Sequence, residues 1–149
     1  RSDSLPRGTV ADLIVVDKSD RTLTLLKRSK PLKTYRVALG ANPVGHKQEE
    51  GDSRTPEGAY RIDFRKPDSR YHRALHISYP NPIDRQNARR RGVSPGDDIM
   101  IHGLPNGMGA LGRLHLARDW TQGCIAVTNE EIEEIWRVVP DGAEVRLQP

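Results

Sequence analysis

The chain has little cysteine, few aromatic residues and no long apolar run. It holds a single cysteine, Cys124, among 149 residues. One thiol cannot form an intramolecular disulfide, and zinc modules with four thiols, or with two thiols and two imidazoles, need more cysteine. The apolar run at residues 13–16 is closed by an aspartate on each side, whereas a membrane-spanning helix needs roughly 18 apolar residues. We therefore predict a domain without disulfides, structural zinc or a membrane span.

Aromatic residues make up only 5% of the chain, and basic residues exceed acidic ones by 24 to 20. A surface with this small basic excess attracts anions only mildly. The densest basic cluster has few aromatic neighbours on which nucleic-acid bases could stack. That cluster consists of Arg85, Arg89, Arg90 and Arg91. The composition therefore predicts no nucleic-acid partner.

The length predicts one domain, because a chain of this size forms one core more readily than two. The N-terminus reads Arg1-Ser2-Asp3, without methionine or an apolar leader, so we expect a processed or truncated start. Residues 1–10 are interpreted as an extension and residues 11–149 as the folded domain.

Strand patterns dominate the chain. Residues 11–17 and 21–27 are β-rich runs joined by a short polar segment, which predicts a hairpin. Residues 41–55 are rich in glycine, proline and charge, which predicts a long loop. Further strands are predicted at residues 32–39, 59–64, 75–79, 99–102 and 143–147.

Helical periodicity is clear in one segment near the C-terminus. Its apolar residues fall at i, i+3, i+4 and i+7 and are Ile132, Ile135, Trp136 and Val139. Thr128 and Glu131 have the spacing of a capping box at its start, and a second helix is predicted at residues 84–91. The fold class expected is mostly β, a β-rich α+β fold with one well-marked helix and a few short ones.

Two glycine-rich segments resemble nucleotide-binding motifs without meeting their requirements. Residues 107–112 satisfy GxGxxG but are not set between a strand and a helix of a βαβ unit. Residues 40–47 approach a P-loop, yet His46 stands at the lysine position and Pro43 lacks an N–H. We predict no nucleotide binding at either segment.

Two histidines and the cysteine are candidate metal ligands. His102, His115 and Cys124 include residue types that bind zinc, but their spacing matches no known ligand motif, so no metal site is predicted. His76 lies in an apolar strand and is interpreted as a surface residue or as a core histidine with satisfied hydrogen bonds.

The segment around Cys124 carries the clearest chemical signal. Gly123 precedes the cysteine and permits a tight turn, which brings backbone N–H groups towards a substrate carbonyl. We predict the N–H groups of Gly123 and Cys124 as oxyanion donors. A thiol needs a base at neutral pH, and His102, at a strand end before Gly103, is the predicted partner. From these residues alone, a buried inert cysteine remains an equal alternative.

These motifs resemble the L,D-transpeptidase (YkuD-domain) family, whose signature is His-Gly, a variable loop and then Ser/Thr-x-Gly-Cys with a following Asn. The matching residues are His102-Gly103, Thr121-Gln122-Gly123-Cys124-Ile125 and Asn129. The segment at residues 51–60 also resembles the family's Thr-Pro-x-Gly region, and residues 13–40 resemble its opening strands. The resemblance covers roughly residues 11–147 and implies a YkuD-like β-sandwich or barrel.

The resemblance implies that Cys124 is the nucleophile and His102 the base of an acyl transfer on peptidoglycan stem peptides. A thioester would form, terminal D-Ala would leave, and a second stem amine would complete a 3→3 cross-link without metal or organic cofactor. Carbapenem-type β-lactams are expected inhibitors, and the Gram-negative periplasm or cell envelope is the expected location. Substrate contacts are predicted at Gly103, Thr121, Gln122 and His115.

Alternatives stay open at this point. Water could hydrolyse the thioester, which would make the protein an L,D-carboxypeptidase or amidase. Gln122 and Ala126 stand where many family members have histidine and arginine, so a non-catalytic peptidoglycan-binding module is a third interpretation. No side-chain orienter for His102 is evident, and we expect a backbone carbonyl to hold its tautomer. Asp119 is a candidate for loop or substrate contacts.

Overall fold

The computed structural model describes residues 4–149, apart from the side chain of Arg113. Eight strands follow one another in a sheet with the order β3-β2-β1-β8-β4-β5-β6-β7. They are β1 (Leu13–Asp17), β2 (Thr22–Lys27), β3 (Lys30–Arg36), β4 (Gly58–Ser69), β5 (His72–Ile77), β6 (Met100–His102), β7 (Ile125–Ala126) and β8 (Glu144–Gln148). The helices are α1 (Pro82–Arg91) and α2 (Asn129–Val138), with a 3-10 segment at Gly109–Ala117. The mostly β fold class is confirmed.

The predicted N-terminal hairpin is present. β1 pairs antiparallel with β2, and Leu23 and Leu25 of β2 are buried while the alternating Thr22 and Thr24 are only half-buried. This alternation follows from side chains pointing to opposite faces along a strand. β8 returns to pair in parallel with β1, so the C-terminus lies at the centre of the sheet.

β4 is the long strand that joins the two halves of the sheet. Gly58–Arg61 pairs with β8, whereas the part from Ile62 to Ser69 pairs with β5. The prediction of residues 59–64 was too short, because Pro67 and its charged neighbours argue against a strand. The structure accommodates the proline where the β4–β5 register shifts between Lys66 and Ser69.

Both predicted helices are confirmed. At α2 the Thr128 hydroxyl accepts the Glu131 N–H at 3.2 Å and the Glu131 carboxylate accepts the Thr128 N–H at 3.0 Å. The apolar face of α2 packs into the core through three residues that are fully buried: Ile132, Ile135 and Val138. α1 begins at Pro82, before the predicted residue 84, because Asn81 supplies its N-cap.

Two segments without a predicted helix or strand have defined structure: part of the predicted N-terminal extension and part of the GxGxxG segment. Of the predicted extension, residues 1–3 lie outside the described residues, whereas the Leu5 N–H donates to Glu134 of α2 at 2.8 Å. Part of the GxGxxG segment at residues 107–112 forms the 3-10 segment, which is broken at Gly112. Within residues 4–149, no helix has the length and apolar character to cross a membrane.

Candidate active site

The pairing of β6 with β7 brings Cys124 and His102 to the same face of the sheet. These strands are parallel, with Ile101 opposite Ile125 and His102 opposite Ala126. Because side chains alternate along a strand, Cys124, two residues before Ala126, points to the same side as His102. His102 is 3% exposed, and Cys124 is partly exposed. The predicted nucleophile and base therefore share one face.

The turn before the cysteine is shaped by Gly123 and Thr121. Gly123 has a φ of 133°, and a Cβ there would lie 2.7 Å from the Arg54 carbonyl oxygen, so only glycine fits. The buried Thr121 hydroxyl donates to the Cys124 carbonyl at 2.7 Å and accepts the Gly123 N–H at 3.1 Å. Thr121 thus holds the turn instead of facing a substrate. The Gly123 N–H is already engaged, which leaves the Cys124 N–H as the predicted oxyanion donor.

The thiol of Cys124 lies between two backbone groups. It donates to the Asp98 carbonyl at 3.2 Å and accepts the Met100 N–H at 3.4 Å. Asp98 takes a left-handed conformation with a φ of 58°. Burial raises the pKa of Cys124 to about 11; the Asp98 charge adds to the rise, and the Met100 N–H and the Lys47 charge oppose it. At neutral pH the group is a thiol, not a thiolate.

His102 is held by a backbone carbonyl, as predicted. Its Nδ1 lies 2.6 Å from the Gly103 carbonyl oxygen, so Nδ1 carries the proton and Nε2 keeps its lone pair. Burial lowers the pKa of His102 to about 4, and the bond to Gly103 opposes that shift. The Tyr71 ring stacks on the imidazole with centroids 4.3 Å apart. At neutral pH His102 is a neutral base in one tautomer.

Gly103 fixes the orientation of the His102 ring and is itself tightly packed. It is buried, and its N–H donates to the Tyr71 carbonyl at 2.9 Å. A Cβ at this position would lie 2.5 Å from Asn129 Oδ1, which itself accepts the Leu104 N–H at 2.8 Å. Gly103 therefore positions the histidine, and its burial argues against the substrate contact predicted for it.

Three further residues are predicted to contact a substrate or the surrounding loop: Gln122, Asp119 and His115. Gln122 is exposed at the rim beside the cysteine, where a substrate could reach it. Asp119 instead anchors its loop, because its carboxylate accepts the Leu39 N–H at 3.0 Å and pairs with Arg21 at 2.8 Å. His115 meets the edge of the Trp120 ring, with centroids 6.0 Å apart.

Trp120 is a residue of this site that the sequence reasoning missed. Its ring centroid lies 6.0 Å from those of His102 and Tyr71. The only signal in the sequence is a large aromatic residue directly before Thr121, and aromatic residues are more often explained by core packing. The contact with Tyr71 joins parts of the chain that only the fold brings together.

The predicted loop at residues 41–55 is held in place by two buried lysines, Lys18 and Lys47. Lys18 Nζ donates to the Gly45 carbonyl at 2.9 Å and to the Thr55 carbonyl at 2.7 Å. Lys47, from the segment that resembled a P-loop, pairs with Asp52 at 3.0 Å. Both lysines are thus used in holding the loop.

The three residues weighed as zinc ligands do not form a metal-ligand set. Among the described residues, one group of histidine, cysteine and acidic side chains has its ligand atoms within 4.8 Å, namely His76, Asp97 and Asp98. Its aspartates are exposed, and His76 bonds Asp63 at 2.6 Å and Asp97 at 3.2 Å. The interpretation of His76 as a buried histidine with satisfied hydrogen bonds is therefore confirmed.

The chain matches a protein-family model and a curated relative. The model of the YkuD family, described as the L,D-transpeptidase catalytic domain, matches residues 11–147. "Putative L,D-transpeptidase YafK" of Escherichia coli (strain K12) is 34% identical over 142 residues, which are 91% of this chain and 50% of that protein. The chain thus spans about half the length of this curated relative.

Solved structures share the fold. The helical cell shape determining protein Pgp2 from Campylobacter jejuni is 27% identical with a TM-score of 0.69, and the match covers 95% of this chain and 49% of that one. The L,D-transpeptidase LdtMt1 in complex with imipenem is 14% identical with a TM-score of 0.57, covering 91% of this chain and 57% of that one. At that identity the second match speaks for the fold alone.

Proposed function

Because the chain belongs to the L,D-transpeptidase (YkuD) family, we propose that it transfers peptidoglycan stem peptides through a thioester on Cys124. The observation that carries the proposal is that Cys124, directly before β7, and a neutral His102 of β6 with Nε2 free lie on one face of the sheet, where the Cys124 sulfur accepts the Met100 N–H of β6. Such a pair has the two groups that thiol-based acyl transfer requires, a nucleophile and a base that can take its proton.

In the first step the sulfur attacks the carbonyl carbon of the third stem residue while its proton passes to His102 Nε2. Proton transfer and attack are coupled, because burial opposes both the thiolate and the imidazolium in the free protein. The Cys124 N–H faces the developing oxyanion, and loss of such a donor typically costs about 3 kcal/mol of barrier. His102 then gives the proton to the amine of terminal D-Ala, the C–N bond breaks, and a thioester remains.

In the second step the amine of another stem attacks the thioester. His102 takes the proton lost by that amine and returns one to the departing sulfur, so the thiol is regenerated and a 3→3 cross-link is formed. If water replaces the amine, the same intermediate yields a shortened stem peptide, and the protein is an L,D-carboxypeptidase or amidase. The acceptor that reaches the thioester decides between these outcomes.

From the proposed substrate we propose a location in the cell envelope, which in a Gram-negative cell would be the periplasm. The similarity to Pgp2, a cell shape determining protein, supports a role in cell-wall organisation and cell shape. We further propose, from the family membership, that carbapenem-type β-lactams inhibit the protein by acylating Cys124. Gln122 is the proposed substrate contact at the rim.

Intact-protein mass spectrometry with tetrapeptide-stem muropeptides tests the proposal, with product analysis in parallel. We expect a protein adduct lacking terminal D-Ala, together with 3→3 dimers, and neither of them with Cys124→Ala. Tripeptide without dimers would identify a hydrolase. Absence of both adduct and product would contradict catalysis and favour the binding module, and full turnover by Cys124→Ala would exclude the thioester.

A further inference from the structure

Two ring nitrogens beside the candidate active site are buried without a hydrogen-bond partner among the described residues. They are Trp120 Nε1 and His115 Nε2, on rings that meet edge to face with centroids 6.0 Å apart. The indole N–H can only donate, whereas an imidazole nitrogen donates or accepts according to its tautomer. An unsatisfied buried polar group is costly, so two of them side by side call for an explanation.

The position of Trp120 is determined by hydrogen bonds on both sides of it. The preceding residue, Asp119, is anchored by Arg21 and by the Leu39 N–H. The following residue, Thr121, donates its N–H to the Leu39 carbonyl at 3.1 Å. The indole is therefore held in place by the fold, 6.0 Å from the His102 ring, within reach of a peptide bound at Cys124.

The 3-10 segment Gly109–Ala117 packs next to Trp120. It contributes His115 itself and the buried Leu116, which packs with Trp120. The segment is interrupted at Gly112 and exposes Leu111 and Leu114, with Leu114 74% exposed. Because 3-10 turns have poor hydrogen-bond geometry, this segment is easier to displace than the strands beneath it.

We propose that the Trp120 N–H and His115 Nε2 bind an oxygen acceptor of the stem peptide, an amide carbonyl or a carboxylate, when the 3-10 segment shifts to admit it. This inference rests on the proposed function. A ligand oxygen supplies the partner that both nitrogens lack in the free protein, and it orients the peptide against His102 and Cys124. Trp120 is then a substrate-binding residue that directly precedes the Thr-x-Gly-Cys motif.

The two tryptophans of the chain provide a matched test by NMR. In the nitrogen-15-labelled Cys124→Ala protein, which holds peptide without turnover, the two indole N–H signals are assigned with Trp120→Phe and Trp136→Phe. Trp136 lies on α2 between Arg65 and Arg73. Addition of a tetrapeptide stem is expected to shift the Trp120 indole proton downfield, as a new hydrogen bond requires, and to leave Trp136 unchanged.

Binding affinity tests the same contact independently. In the Cys124→Ala background, Trp120→Phe keeps a ring beside His102 but removes the donor, so we expect the Kd for the tetrapeptide to rise about tenfold. Trp136→Phe should leave it unchanged. If the Trp120 effect disappears with a C-terminal carboxamide peptide, the acceptor is the terminal carboxylate; if it persists, the acceptor is an amide carbonyl or another carboxylate of the stem.

The NMR and affinity results distinguish a failure of this inference from a failure of the proposed function. If backbone signals around residues 121–126 shift with peptide while the Trp120 indole does not, and Trp120→Phe binds as tightly as its parent, the inference is overturned and the proposed function stands. If no signal shifts at all, stem peptides are not the ligand, and both proposals fail together.

Discussion

His102 and His76 lie on neighbouring strands and have different surroundings. Both are nearly buried, at 3% and 5% exposure, and each stacks on an aromatic ring, Tyr71 at 4.3 Å and Phe64 at 4.2 Å. His76 has a carboxylate at each ring nitrogen. Among the described residues, the imidazole ring of His102 has one hydrogen-bond partner, the Gly103 carbonyl. Burial and stacking alone therefore do not make a base; a free nitrogen does.

Exchange of each histidine for glutamine is the most direct way to break this comparison. His102→Gln removes the only proton acceptor proposed for the thiol, so turnover of tetrapeptide stems should fall about 10²- to 10⁴-fold. His76→Gln should keep turnover within a few-fold of the parent, because neither of its ring nitrogens is free for catalysis. Initial rates of D-Ala release, with circular dichroism to verify folding, measure both. Equal losses in the two variants would remove the distinction.

The pH dependence of stability sharpens the comparison further. Because the pKa of His102 falls from an ordinary 6.5 to about 4 on folding, the unfolded chain takes up a proton between these pH values that the folded chain does not. The free energy of unfolding should therefore decrease as the pH falls through this window, by about 3 kcal/mol in total. His102→Gln should lose less stability between pH 7 and pH 4.

Urea titrations of both proteins at several pH values provide this measurement. The carboxylates are common to the two chains, so the difference between the curves isolates His102. Parallel curves would show that His102 is protonated as readily in the folded protein as in the unfolded one, contrary to the burial of its ring.

Reactivity of the thiol gives the smallest expected effect. Burial raises the pKa of Cys124 to about 11 from an ordinary 9.0, which lowers the thiolate fraction near pH 8 by about 100-fold. Alkylation by iodoacetamide should be tens of times slower in the folded protein than in urea, with a rate that still rises above pH 9. His76→Gln should not alter that profile. Rapid alkylation at pH 6 to 7 would indicate a preformed thiolate–imidazolium pair instead.

Elements with local signals were predictable, and those with distant partners were not. The capping box of α2 lies within four residues, Thr128 to Glu131, and the predicted helix was confirmed. The extension of β4 past Phe64 depends on pairing with β5, which overrides the unfavourable local signal of Pro67. The two-residue strand β7 was not predicted, because it exists through pairing with β6 and with Ala38, both distant in the chain.

In the candidate site, too, features with local sequence motifs were predictable and features that depend on distant residues were not. The order of the His-Gly and Thr-x-Gly-Cys motifs pointed to the family, which the family model confirms, and to Cys124 and His102 as the proposed nucleophile and base. Gly103 and Thr121 were predicted as substrate contacts; both are buried in the free protein, and their contact with a substrate stays a prediction. Neither burial can be inferred from spacing, since Gly103 packs against Tyr71 and Asn129 from other elements.

By itself the sequence determined the residue types that carry the chemistry: one thiol, a histidine at a strand end, and a glycine where a turn needs it. Only the tertiary structure decided their state. Burial keeps Cys124 and His102 uncharged at neutral pH, and the fold brings Trp120 beside His102. Charge state and ring contacts depend on the dielectric environment and on neighbours that are distant in the chain.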